Sequence, residues 1–192
     1  MRQLVYYVAL TLDGFIAGPQ DEVDFFEGSD EYTQHMIGNY SDTLPQHGRE
    51  QLGIGQAPLT RFDTVVMGRR TYDPALQMGI ASPYPHLRQI VFSRSLYSTD
   101  PEVLITDADP RRVIRALKNE DSPLDIYLAG GGQLAASLLP EIDEIIIKRY
   151  PVFIGSGIRP FGTDFAPKQF TMTKSIVFDP GNSITSFRPT TV

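Results

Sequence analysis

The chain has 192 residues, a 41% apolar share, no Cys and no Trp, and 17 basic against 23 acidic side chains, for a formal net charge of −6. That balance suits one folded domain rather than a disordered chain, and it excludes a disulfide scaffold, a thiolate zinc site, an iron–sulfur cluster and a cysteine nucleophile. No apolar run approaches the roughly 18 residues of a membrane span, the N-terminus lacks signal-peptide order, and the acidic balance argues against nucleic acid as a partner, so a cytoplasmic protein without a membrane partner is expected.

The charge is uneven. Residues 1–60 hold 2 bases and 9 acids, residues 61–95 hold 5 Arg and 2 acids, and residues 96–192 hold 10 bases and 12 acids. The middle stretch is the one basic block in an acidic chain.

Leu4–Leu10 (LVYYVAL) is apolar, β-branched and aromatic, and reads as a strand buried on both faces. Thr11-Leu12-Asp13-Gly14 ends it as a turn. Residues 28–60 are polar with scattered Gly and Pro, and suit one or two short helices. Strand patterns return at Thr64–Met67, Gln89–Phe92 and Val103–Ile105. Asp109-Pro110 then supplies an N-cap and a first-turn proline for a helix whose apolar face is Val113, Ile114 and Leu117. Ile126–Ala129 is a strand, Gly130-Gly131-Gly132 opens a helix over Gln133–Leu139, and Pro140 stops it. Ile142–Ile147 is the next strand. Phe170–Phe178 and Ser183–Phe187 alternate in polarity around the turn Asp179-Pro180-Gly181-Asn182, which makes a hairpin. Strands alternating with short helices, closed by an antiparallel hairpin, predict an α/β domain with a mixed, mostly parallel sheet over residues 1–192.

Three segments suit phosphate groups, and each follows a strand. Gly130-Gly131-Gly132-Gln133 lets backbone approach a ligand closely at a helix start, where a diphosphate fits. The same glycines would also make a tight turn with no ligand. Gly68-Arg69-Arg70-Thr71 brings two guanidinium groups and a hydroxyl to a second helix start, although taken alone it reads rather as a solvated basic face. Ser93-Arg94-Ser95 offers one Arg and two hydroxyls, enough for a monophosphate ester. Ligands of α/β sheets gather outside the carboxyl ends of the strands, so three such segments weigh more than any one. His35, His47 and His86 have no metal-ligand spacing, so no metal is expected.

The sequence resembles the dihydrofolate reductase superfamily, in the bacterial branch similar to the reductase domain of riboflavin biosynthesis. The landmarks are Val8-Ala9-Leu10-Thr11-Leu12-Asp13-Gly14-Phe15-Ile16-Ala17, Val66-Met67-Gly68-Arg69-Arg70-Thr71-Tyr72, Val91-Phe92-Ser93-Arg94-Ser95, Ala129-Gly130-Gly131-Gly132 and Pro151-Val152-Phe153-Ile154-Gly155-Ser156-Gly157. The resemblance implies a three-layer α/β/α fold and an NADPH-dependent reductase acting on a small, heterocyclic substrate. It places Ala9 and Ile16 on the nicotinamide carboxamide through backbone atoms. It places Arg69 and Thr71 on adenosine-side phosphates, with Gly68 and Arg70 beside them. Ser93 and Arg94 would hold the 2′-phosphate. Gly130, Gly131 and Gly132 would lie on the diphosphate, next to Gln133, with a cis peptide between Gly130 and Gly131. It also implies a homodimer.

On the substrate side, folate reductases carry one carboxylate on the helix after the first loop. Asp24, Glu27 and Asp30 fall near that place, and Phe25-Phe26 stands where relatives usually carry Trp. Asp24 is the first expectation for a proton donor, with water as its substitute, and Asp13 is a second candidate acid. Two other readings stay open: a true dihydrofolate reductase, and a protein that binds NADPH without turnover.

Overall fold

The structure is a computed structural model that describes residues 1–97, 100–162 and 166–190. The apolar runs and the two alternating C-terminal runs form eight strands of one sheet. They are β1 (Leu4–Leu10), β2 (Phe62–Gly68), β3 (Arg88–Phe92), β4 (Val103–Thr106), β5 (Asp125–Gly130), β6 (Glu144–Arg149), β7 (Phe170–Val177) and β8 (Ser183–Pro189). Their spatial order is β4-β3-β2-β5-β1-β6-β8-β7. Every pairing from β4 through to β6 is parallel, and only the pairings made by β8 are antiparallel.

Alternation along the strands divides the core into two layers. Val5 and Tyr7 of β1 and Tyr127 of β5 face one side, where α1 (Asp30–Tyr40) contributes Tyr32, Met36 and Tyr40 and α3 (Arg69–Gln77) contributes Tyr72. Leu4, Tyr6 and Val8, with Ile126 and Leu128, face the other. There α4 (Pro110–Lys118) adds Ile114 and Leu117, and α5 (Gly132–Leu138) adds Leu134, Ala135 and Leu138. Helices on both faces of a mainly parallel sheet give the expected three layers. The α4 start is as expected too: Asp109 accepts the Arg112 N–H and Pro110 occupies the first turn.

The polar stretch 28–60 is held by long-range bonds. It contains α1 and the six-residue α2 (Gln46–Gln51). Asp42, fully buried, accepts the backbone N–H groups of Thr60, Arg61 and Phe62 on one oxygen at 3.0, 2.7 and 2.9 Å. Arg49, also fully buried, donates to the carbonyls of Ser41 and Ala57. The loop is thereby tied down at the entry to β2.

Candidate active site along the carboxyl edge of the sheet

Two clefts open at the carboxyl ends of the strands. The first, of about 510 Å³, lies over the ends of β2, β3 and β4. Gly68, Arg69, Arg70, Ser93, Arg94, Gly131 and Gln133 of the expected set line it, together with Thr106, Asp107 and Ala108. Arg69 Nη1 donates to Ser95 Oγ at 2.7 Å, joining the β2 and β3 ends. Ser93 Oγ accepts the N–H groups of Ser95 and Leu96. Arg94 is exposed and has no carboxylate partner among the described residues.

The second cleft, of about 520 Å³, lies over the ends of β5, β1 and β6. Ala9, Ile16, Thr71, Gly130 and Gly131 line it, among aromatic walls that include Tyr7, Tyr84, Tyr127, Tyr150 and Phe26. Arg70 and Gly131 belong to both clefts, so the two meet at the glycine turn. The peptide between Gly130 and Gly131 is cis, as the resemblance implied. A Cβ added at Gly130 or Gly131 would stand 3.6 or 3.4 Å from Thr71 Oγ1. Without side chains there, the turn leaves a shallow cradle edged by that hydroxyl.

Eleven of the twelve expected cofactor residues therefore lie on the cleft walls. Gly132 does not. It is buried, and a Cβ there would stand 2.4 Å from the Arg159 carbonyl oxygen, so close packing against the chain is what requires glycine. The two expected acids are elsewhere. Asp24 is exposed and lines neither cleft. Asp13 accepts from Thr11 Oγ1 at 2.6 Å and from the Gly155 and Ile154 N–H groups at 2.7 and 3.4 Å. Its partial desolvation raises the pKa, but those hydrogen bonds outweigh it and hold the carboxyl below its usual value. It fastens the 154–155 loop to the first turn.

The model of the family described as dihydrofolate reductase matches residues 31–177. This chain belongs to the dihydrofolate reductase family. Within it, the chain is similar to the uncharacterized protein YwjB of Bacillus subtilis (strain 168), with 30% identity over 162 residues that cover 83% of each chain. Its fold matches that of a putative riboflavin biosynthesis protein from Shewanella sp. PV-4, with a TM-score of 0.69, 21% identity, and coverage of 98% of this chain and 99% of that one. It also matches a dihydrofolate reductase from Enterococcus faecalis complexed with NADP(H), with a TM-score of 0.64, 14% identity and coverage of 97% and 96%.

The second cleft has features that the sequence did not signal clearly. Lys148 lies in the second cleft with its Nζ 4.3 Å from the centre of the Tyr7 ring. Tyr150 shares a 2.7 Å hydroxyl–hydroxyl hydrogen bond with Tyr32. Burial pushes the Tyr84 hydroxyl up to about 12 and raises Tyr127 and Tyr150 as well, so all three stay protonated near neutral pH. The available signal for Lys148 was a cation closing the run Ile145-Ile146-Ile147 inside a strand.

Proposed function

We propose that the protein is an NADPH-dependent reductase of a small heterocyclic substrate, of the kind found in riboflavin biosynthesis. The observation that carries this reading is the meeting of two clefts at Arg70 and Gly131, along the carboxyl edge of the sheet. Each cleft has the size of a small-ligand pocket, and a dinucleotide laid across the glycine cradle would place one half in each. The NADP(H) complex of the Enterococcus faecalis fold neighbour supports the choice of cofactor.

When bound, NADPH supplies a hydride from its reduced nicotinamide ring. The chain's part is to bind, orient and exclude water. Ser93 and Arg94 hold the 2′-phosphate in the first cleft. The Ser93 oxygen already accepts two N–H groups, and its own O–H stays available as a donor. Arg69, Arg70 and Thr71 serve the diphosphate over Gly130 and Gly131, with Gln133 beside it. Ala9 and Ile16 orient the carboxamide. The Ile16 N–H is taken by the Ile158 carbonyl at 2.8 Å, so its own carbonyl is the group for this task. With Asp24 outside the clefts and Asp13 committed to a loop, neither expected acid is placed to donate the proton that completes the reduction, and of the expected donors water is left.

A dihydrofolate reductase would need a carboxylate inside the second cleft to pair with a pteridine. Asp21 is the one acid lining that cleft among the described residues; it is exposed and paired with Arg70 at 3.1 Å. That favours another heterocycle. The deciding measurement is NADPH titration by calorimetry, followed by NADPH oxidation with 5-amino-6-(5-phosphoribosylamino)uracil, whose ribosylamino carbon accepts the hydride. Binding with oxidation is expected. Binding without oxidation of any pyrimidine, pterin or carbonyl compound tried would leave a cofactor-binding protein, and no binding would remove the reading altogether.

A further inference from the structure

The second cleft holds a charge that no carboxylate neutralises among the described residues. Lys148 is partly buried, and no carboxylate forms an ion pair with it among the described residues. On its own strand, the acid on the same face is Glu144, four residues away, or roughly 13 Å along a strand. Glu144 already serves Arg61 at 2.9 Å and Arg188 at 3.4 Å. Across the cleft, Asp21 is engaged by Arg70. What Lys148 does touch is the face of Tyr7. Desolvation lowers its pKa to about 8. An ammonium in such a place costs stability unless something binds it.

Its position is specific. Parallel register sets Lys148 beside Ala9, the residue assigned to the nicotinamide carboxamide. Adjacent strands lie about 4.8 Å apart, so the ammonium stands next to the reacting end of the cleft. The tyrosine hydroxyls around it are neutral, and the walls are aromatic.

We infer that Lys148 is a substrate-binding residue and that the substrate presents to it a carbonyl oxygen on a planar ring. The inference rests on the reductase reading for the substrate's place beside the cofactor. It adds what that reading leaves open: the ring is recognised through an oxygen acceptor held by a cation, where a carboxylate would select ring N–H and amino donors. Aromatic walls take the ring faces and the ammonium takes its acceptor edge.

The test compares two probes on the whole protein, with and without NADPH. Barbituric acid carries carbonyl oxygens on its edge, and 2,4-diaminopyrimidine carries amino donors. Barbituric acid is expected to bind at least tenfold more tightly than 2,4-diaminopyrimidine, and Lys148→Met to weaken it at least tenfold while leaving NADPH affinity within twofold. The same substitution is expected to raise the melting temperature at neutral pH, since it removes an uncompensated charge. A lysine kept for its packing on Tyr7 would instead lower it. Tighter binding of 2,4-diaminopyrimidine, barbiturate binding unchanged by Lys148→Met, or no barbiturate binding at millimolar concentration would each overturn the inference. None of these outcomes depends on NADPH binding, so the failure of the cofactor reading is seen separately.

Discussion

Single side chains at the strand ends divide into those spent on the fold and those left free. Asp13 was a candidate acid and Gly132 a candidate diphosphate contact because of the motifs they sit in, and both are taken up by the chain itself: Asp13 holds Gly155, and Gly132 lies against Arg159. Arg94 is the opposite case, exposed in the first cleft with no acid attached among the described residues. A charge-assisted hydrogen bond is worth about 1.5–3 kcal/mol, or roughly ten- to hundredfold in affinity. Arg94→Ala is therefore expected to weaken NADPH by that factor and to change NADH by less than twofold in calorimetric titration. An unchanged ratio between the two cofactors would remove the 2′-phosphate role. Lys148 was hidden in the sequence for a physical reason. A lysine after three isoleucines reads as the polar end of a strand. Only the register of β6 against β1 turns it into the cleft.

Among the elements, strand signals were clear wherever burial on both faces forced a continuous apolar run, as in β1, β2 and β5. The segment 28–60 was faint because its order is not local. In α1 the buried positions are Tyr32, Met36 and Tyr40, at the right spacing, but mostly polar residues fill the turns between them. The rest is held by Asp42, whose partners lie 18 to 20 residues away, and by Arg49, whose partners lie eight residues to either side. Asp42→Ala would leave three backbone N–H groups without their acceptor, at a cost on the order of 3 kcal/mol. For a chain of this size the melting temperature should fall by roughly 6–12 °C. Asp42→Asn keeps one accepting oxygen and should recover part of the loss. A melt of Asp42→Ala indistinguishable from wild type would mean that the loop is held in some other way.

For the molecule as a whole, the net charge of −6 hides a useful asymmetry. Arg69, Arg70 and Arg94 come from the one basic block, and the fold gathers them on the cleft edge. An acidic protein can thus present a cationic cleft edge without a basic surface. Under the proposed function, a hundredfold excess of NADPH over its dissociation constant stabilises the folded state by about 2.7 kcal/mol, a rise of roughly 5–10 °C in melting temperature. NADH at the same concentration should give a clearly smaller rise, and equal rises would argue against discrimination at Ser93 and Arg94.

The Arg70–Asp21 contact reaches further than its strength suggests. Both side chains are largely exposed, and such a pair contributes at most about 1 kcal/mol. Yet Arg70 stands where the two clefts join, and Asp21 belongs to the first loop, on the wall of the second cleft. A guanidinium drawn toward a diphosphate lets go of that carboxylate, and a loop that moves away frees the guanidinium. By reciprocity, each event favours the other to the same degree. The weakness of the pair limits this linkage to about fivefold, so one exposed ion pair would make the first loop a gentle reporter of what occupies the cleft next door.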